Sequence, residues 1–245
     1  MSLPGLFVVG TDTGVGKTRA AAAIARTWAG AGHRVGVLKP VSSGGEARGG
    51  GVLSPDAVLL IEATGRDFPH DRAAPIVFEE ALAPPVAARR LGTPLDFETL
   101  ATAVEASLAW WADRADVMVV EGVGGLLCPI AEGATVADLA IRLDFPLIIV
   151  AHRGLGTLNH TLLTVEAARA RALRIAGVIL NGARPPSDPV AEATNAEELS
   201  RRLGGVAILA DWGHRAGPGP SDVAPEAGGW YDLAKPRRSA PGISP

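Results

Sequence analysis

Leu6-Phe7-Val8-Val9-Gly10-Thr11-Asp12-Thr13-Gly14-Val15-Gly16-Lys17-Thr18 is the stretch from which the rest of the chain can be read. Its first four residues are apolar and two are β-branched, as in a buried strand. Lys17 to Ala29 is rich in alanine and predicts a helix. A glycine-rich turn between strand and helix is the setting of a phosphate-binding loop. Its glycines let successive backbone N–H groups curl around phosphate oxygens, and the helix start adds favourable partial charge. Lys17 can then reach the β and γ phosphates, and the Thr18 hydroxyl can ligate magnesium. The strict pattern has a glycine five residues before Gly16. Here that residue is Thr11 and Gly10 lies one step earlier, so the loop is a variant. Thr13, Gly14, Val15, Gly16, Lys17 and Thr18 are the expected nucleotide contacts, and ATP or GTP binding follows.

Outward from this loop, apolar runs recur at Val35–Leu38, Val117–Val120, Leu147–Val150, Ile175–Leu180 and Val206–Leu209. Helical patterns fall between them, near 56–64, 96–112, 135–143, 157–173 and 190–203. Strands alternating with helices predict an α/β fold, with a doubly wound, mostly parallel sheet in one P-loop NTPase-like domain. That domain is expected over 1–212. Gly44 to Leu53 holds five glycines and reads as a mobile loop. From 213 to 245 the chain is Gly/Pro-rich and reads as a poorly ordered tail.

Composition narrows the function classes. The chain has 245 residues, 47% hydrophobic but only 4% aromatic, so its core is built from aliphatic side chains. The 23 basic and 26 acidic residues leave a net charge of −3 and no electrostatic case for nucleic acid. The single cysteine, Cys128, excludes a disulfide framework and reads as a small core residue. With no signal-like N-terminus and no membrane-length apolar run, a cytoplasmic protein is expected.

Four further places carry chemistry. Lys39, after the second strand, is either a surface lysine before a turn or a second fixed cation in the sheet's ligand crevice. Asp56 either favours a helix N-terminus or ligates metal. Glu121 ends an apolar strand and precedes Gly122-Val123-Gly124-Gly125, which suits magnesium coordination beside a triphosphate and close backbone approach by substrate. Gly154 to His160 opens a helix whose free N–H groups attract anions.

The loop resembles Gly-Thr-Asp-Thr-x-Val-Gly-Lys-Thr of the dethiobiotin synthetase family, with Gly14 where that family commonly has Glu. Lys39-Pro40-Val41-Ser42-Ser43-Gly44 resembles its Lys-Pro-Val-x-Ser-Gly, and Glu121–Gly125 its Val-Glu-Gly-x-Gly-Gly block. Leu155–His160 resembles its Leu-Gly-x-x-Asn-His. By this resemblance Lys39 and Lys17 are catalytic, and Ser43, Glu121, Gly122, Val123 and Gly124 meet substrate. Gly154, Leu155 and Asn159 hold the substrate's carboxylate near a homodimer interface. Thr18, Asp56 and Glu121 bind Mg2+, Asn181 and Pro185 bind the nucleotide, and His160 is structural. The implied reaction joins 7,8-diaminononanoate and CO2 into a cyclic urea using ATP.

The resemblance spans about 6–212. Ala81 and Pro85 interrupt a Phe-x-x-Pro-x-x-Pro-His-like stretch, and an Ile-Pro-Trp segment after the last strand is absent. A P-loop ligase with another substrate and a partner-positioning ATPase of the partition type remain open. The latter carries an early lysine where this chain has Asp12.

Overall fold

The computed structural model describes residues 3–185, 189–214 and 224–236. The opening apolar run forms β1, Gly5–Gly10, buried at every position. The other central strands are β2 (Val35–Leu38), β3 (Val117–Gly125), β4 (Leu147–His152), β5 (Ile175–Asn181) and β6 (Ile208–Trp212). All six pair in parallel in the order β6-β5-β4-β1-β3-β2. Helices α1 (Lys17–Gly30), α2 (Pro55–Ala63), α3 (Phe97–Trp111), α4 (Val136–Leu143), α5 (Thr157–Arg169) and α6 (Pro189–Arg202) link or flank them. Continuous apolar strands are what a parallel sheet covered on both faces requires.

Strand order positions the site. The phosphate loop leaves the carboxyl end of β1, near the middle of the sheet. On one side β3 and β2 deliver Glu121 and Lys39, and on the other β5 and β6 end on Asn181 and Trp212. Ligands of open α/β sheets bind across this edge.

Several expectations need adjusting. The last strand was expected at Val206–Leu209 but runs Ile208–Trp212, because Gly204 and Gly205 turn at positive φ and Val206 bonds back to Leu203. Trp212 therefore ends that strand even though the Ile-Pro-Trp spelling is absent. Helix α5 stops at Arg169, short of 173, and Ala172 adopts φ +53°. The glycine-rich stretch after Gly44 is a hairpin, Glu46–Arg48 pairing antiparallel with Gly51–Leu53.

Part of the segment expected to be loose is ordered. Pro225–Ala234 forms a 3₁₀ helix against α1. The Trp28 indole donates to the Ala227 carbonyl at 2.7 Å, and the Ala224 amide donates to Thr27 Oγ1 at 3.0 Å. Tyr231 stacks on His33 at 4.3 Å, and Trp230 is buried. Composition hid this because a few aromatic and alanine contacts, not periodicity, hold the segment down. Residues 215–223 and 237–245 of the expected tail, like Pro186, lie outside the described residues. Among the described residues no helix is long and apolar enough to cross a membrane.

Candidate active site

Helix α1 starts at Gly16, whose φ of +93° is open to glycine and strained for other residues. A Cβ at Gly16 would lie 2.0 Å from Asn181 Nδ2, so the loop also needs glycine for space. The first turn of α1 presents Lys17 and Thr18 to a cleft of about 620 Å³. Lys17 is buried and donates to the Asp12 carbonyl at 3.0 Å.

One wall of the cleft is a buried polar cluster. Lys39 Nζ lies 2.6 Å from Glu121 Oε1 and 2.7 Å from Asp56 Oδ2, and it donates to the Gly122 carbonyl at 3.2 Å. The Thr18 hydroxyl lies 3.0 Å from Asp56 Oδ1 and 2.9 Å from Glu121 Oε1. A single hydroxyl proton can serve one of these acceptors at a time. Lys39 and Glu121 are 3% and 1% exposed, so this is no surface ion pair, and the surface-lysine reading of Lys39 does not hold. Burial works against the Lys39 ammonium, but Glu121 and Asp56 outweigh it and hold its pKa above the ordinary lysine value. Burial pushes Glu121 up, with Lys39 opposing. Burial also acts to raise Asp56, yet Lys39 and the Thr18 hydroxyl hold it below the usual carboxylate range. Lys17, lacking a comparable carboxylate partner, is lowered by burial, with Glu121 partly opposing.

Local sequence sets up each member. Ser54 caps α2 by accepting from the Ala57 amide at 3.2 Å, which starts the helix with Asp56 in its first turn. Ser54 is held in turn by Ser42 at 2.8 Å, and its amide donates to His70 Nε2 at 2.9 Å. None of Ser42, Ser54 and His70 was singled out from sequence. Only the Ser-Pro-Asp start of the helix offered a signal, for Ser54.

The same cleft brings together Thr13, Gly14, Gly16, Lys17, Thr18, Lys39, Ser43, Asp56, Glu121, Val123, Gly124 and Asn181. The Ser43 hydroxyl is buried without a partner. Cys128 also lines the cleft and is half-buried, not a core residue. It lies so close to Gly124 that a Cβ there would meet its Sγ at 2.6 Å. Val15, Gly154, Leu155 and Pro185 line a neighbouring cleft on the outer side of the loop, with His152 and His160. Asn159 is exposed on α5 and lines neither, and Gly122 reaches the main cleft only through its carbonyl bond to Lys39. Asn181 is fully buried. It donates to the Val15 carbonyl at 2.8 Å and accepts from Arg19 Nη1 at 2.8 Å.

Hard oxygen donors, a triphosphate loop and two nearby cations make an arrangement suited to phosphoryl transfer, where positioning and charge stabilisation supply catalysis. Thr18, Asp56 and Glu121 fit a magnesium ion. Their oxygens converge, and the buried Glu121 Oε2 has no hydrogen-bond partner.

Comparison with known proteins bears on the reaction. The fold is similar to a putative plasmid partition protein from Borrelia burgdorferi B31 bound to AMPPNP. That match has a TM-score of 0.53 at 14% identity, covering 96% of this chain and 97% of that one. A family profile described as AAA domain matches residues 4–212. The ATP-dependent dethiobiotin synthetase BioD of Anaeromyxobacter dehalogenans strain 2CP-C is 48% identical over 197 residues, 80% of this chain and 84% of that protein. The BioD protein of Pseudomonas paraeruginosa strain PA7 is 38% identical over 226 residues, 91% and 98% of the two chains. That of Rhodopirellula baltica is 40% identical over 223 residues, 86% and 85%. The partition-type likeness is one of fold alone, whereas the sequence relatives share most of their length, and the chain belongs to the ATP-dependent dethiobiotin synthetase family.

Proposed function

We propose that this chain uses ATP to join CO2 to 7,8-diaminononanoate and closes the ureido ring of dethiobiotin in the following steps. One substrate amine takes up CO2 and loses a proton, giving a carbamate. A carbamate oxygen attacks the γ-phosphorus as the bond to ADP breaks, forming a carbamic-phosphoric anhydride. The neighbouring amine attacks the anhydride carbon, the ring closes and phosphate leaves. No covalent bond to the protein is required.

The observation that carries this reading is the Lys39–Glu121–Asp56–Thr18 cluster directly beside the loop lysine. Lys39 and Lys17 would offset charge on the transferred phosphoryl group, and Lys39 would also orient the carbamate. Thr18, Asp56 and Glu121 would hold Mg2+, which when bound supplies a Lewis acid for phosphate oxygens. Ser43, with its unpartnered buried hydroxyl, and the glycine backbone of 122–124 would hold the diamine. Asn181 and Pro185 belong to the nucleotide's base end.

We take 1–212 as the catalytic domain and the active species as a homodimer. In it, Gly154, Leu155 and Asn159 receive the substrate's carboxylate near the interface. Exposed Leu127, Leu155 and Leu163 support an interface on that side. The lone, unpaired Cys128 suits the cytoplasm.

The test is phosphate release from ATP and Mg2+ with and without the diamine and bicarbonate, with mass detection of dethiobiotin. One phosphate per ring is expected. Nucleotide binding without diamine-dependent turnover would reject this substrate.

A further inference from the structure

We infer that Arg19 is a base-positioning residue that sets this chain's affinity for the nucleotide, a reading that rests on the nucleotide site proposed above. Arg19 follows Thr18 on the first turn of α1 and lines the main cleft. Its Nη1 donates to Asn181 Oδ1 at 2.8 Å, and its guanidinium carbon lies 5.7 Å from the centre of the Trp212 ring. Asn181 and Trp212 are register partners at the ends of β5 and β6, so one side chain of α1 bridges two neighbouring strand ends.

The sheet order gives the cleft a direction. Lys39, Asp56 and Glu121 gather toward β3 and β2 and mark the end where the γ-phosphate is transferred. Arg19, Asn181 and Trp212 lie on the opposite side of β1, where the base of a nucleotide wrapped on the loop must fall. Asn181 is poorly placed to touch that base itself. It is fully buried, and its amide is engaged with Val15 on one edge and Arg19 on the other. Arg19 is only half-buried. The group at this end that meets the cleft is therefore a flat cation, its plane set by Asn181 and steadied against an indole.

A guanidinium stacks on an aromatic face and donates in a fixed fork, which an ammonium cannot reproduce. Arg19 thus confronts the base with a flat cationic plane, and Asn181 acts on the base through it.

Calorimetric titration of the full chain with ATP and, separately, with inorganic triphosphate tests this, because triphosphate lacks the base. Arg19→Ala should weaken ATP binding about tenfold while triphosphate affinity stays within about twofold of the parent. That retained affinity also shows that the loop and fold survive. Arg19→Lys, which keeps the charge and loses the plane, should recover little of the ATP affinity. Trp212→Leu should give a smaller loss in the same direction.

Equal loss of ATP and triphosphate binding in Arg19→Ala would overturn the inference, since Arg19 would then act on the phosphates or the loop. Unchanged ATP affinity, or full recovery by lysine, would overturn it too. Failure of the parent chain to bind either compound would instead remove the nucleotide site beneath it.

Discussion

Helices α1 and α5 begin alike and end up in different trades. Each is capped by a glycine at φ +93°, Gly16 and Gly156, and neither cap has a side-chain hydrogen bond. Both therefore open without a side-chain cap, the α5 start with its Thr157 amide turned back to the Gly154 carbonyl at 3.2 Å, and a helix start of this kind favours an anion. Around Gly16 the chain has converged from five strand ends, and a Cβ there would strike Asn181. Around Gly156 there is open space, and the preceding Leu155 is 77% exposed. The local motif makes an anion-friendly helix start. Partners from as near in sequence as Lys39 to as far as Asn181 gather around one of the two and make it part of a cleft.

The sharpest way to break this comparison is to remove a distant partner and leave the loop alone. Lys39→Met should cut diamine-dependent phosphate release by about 100- to 1,000-fold, as loss of one preorganised charge at a transition state does. It should also lower stability by about 3–5 kcal/mol, because Glu121 then stays buried with its main counter-ion gone. Denaturant melts read the second effect and coupled phosphate assays the first. Near-parental turnover would take Lys39 out of the mechanism.

Next in size is the cap itself. Gly16→Ala adds backbone strain of about 1–3 kcal/mol and a clash with Asn181. A loop displaced by a fraction of an ångström should lose ATP affinity by about 100-fold, read by calorimetry. Gly156→Ala tests the other start, where the neighbours are absent. It should lower stability by about 1 kcal/mol and the Tm by about 2–4 °C, with ATP affinity unchanged. An equal ATP loss at both positions would abolish the contrast.

The smallest effect sharpens the comparison with a third helix start, α4, which satisfies itself. The Thr135 amide donates to Asp138 Oδ2 at 2.7 Å, and hydrogen bonds from Thr135 hold the Asp138 carboxyl below the usual range. A depressed folded-state pKa stabilises above the unfolded value and loses that contribution as pH falls through the folded one. Asp138→Asn should therefore be less stable than the parent at neutral pH, with the gap closing below about pH 4, as followed by denaturant melts across pH.

What could be read in advance follows the same division. The phosphate loop, the six apolar strand runs and the helices near 56–64 and 96–112 are written in contiguous residues, so period and composition reach them. Lys39, Asp56 and Glu121 were visible as charged residues where apolar strands or loops stop, and the family resemblance sharpened their roles. That Lys39 bonds both carboxylates at once was not visible, since no spacing encodes a contact between β2 and β3. Arg19 lay inside the best-read stretch of all and passed unnoticed, because its significance comes from Asn181, 162 residues on. The exposure of Cys128 to the cleft was missed for a related reason. Its place is set by the left-handed turn at Gly124, φ +61°, more than by its own apolarity.

The 3₁₀ helix on α1 has a consequence for how this protein is made. Helix α1 carries the loop and is complete by residue 30, among the earliest segments to leave a ribosome. Its Trp28 indole finds an acceptor only when Ala227 arrives, 199 residues later. Until then a nascent chain holds the sheet and both cleft lysines, Lys17 and Lys39, while one flank of α1, the helix that aims the loop, remains wet. The last contact to form thus bears on the first helix made, and competence to grip nucleotide should mature late in synthesis.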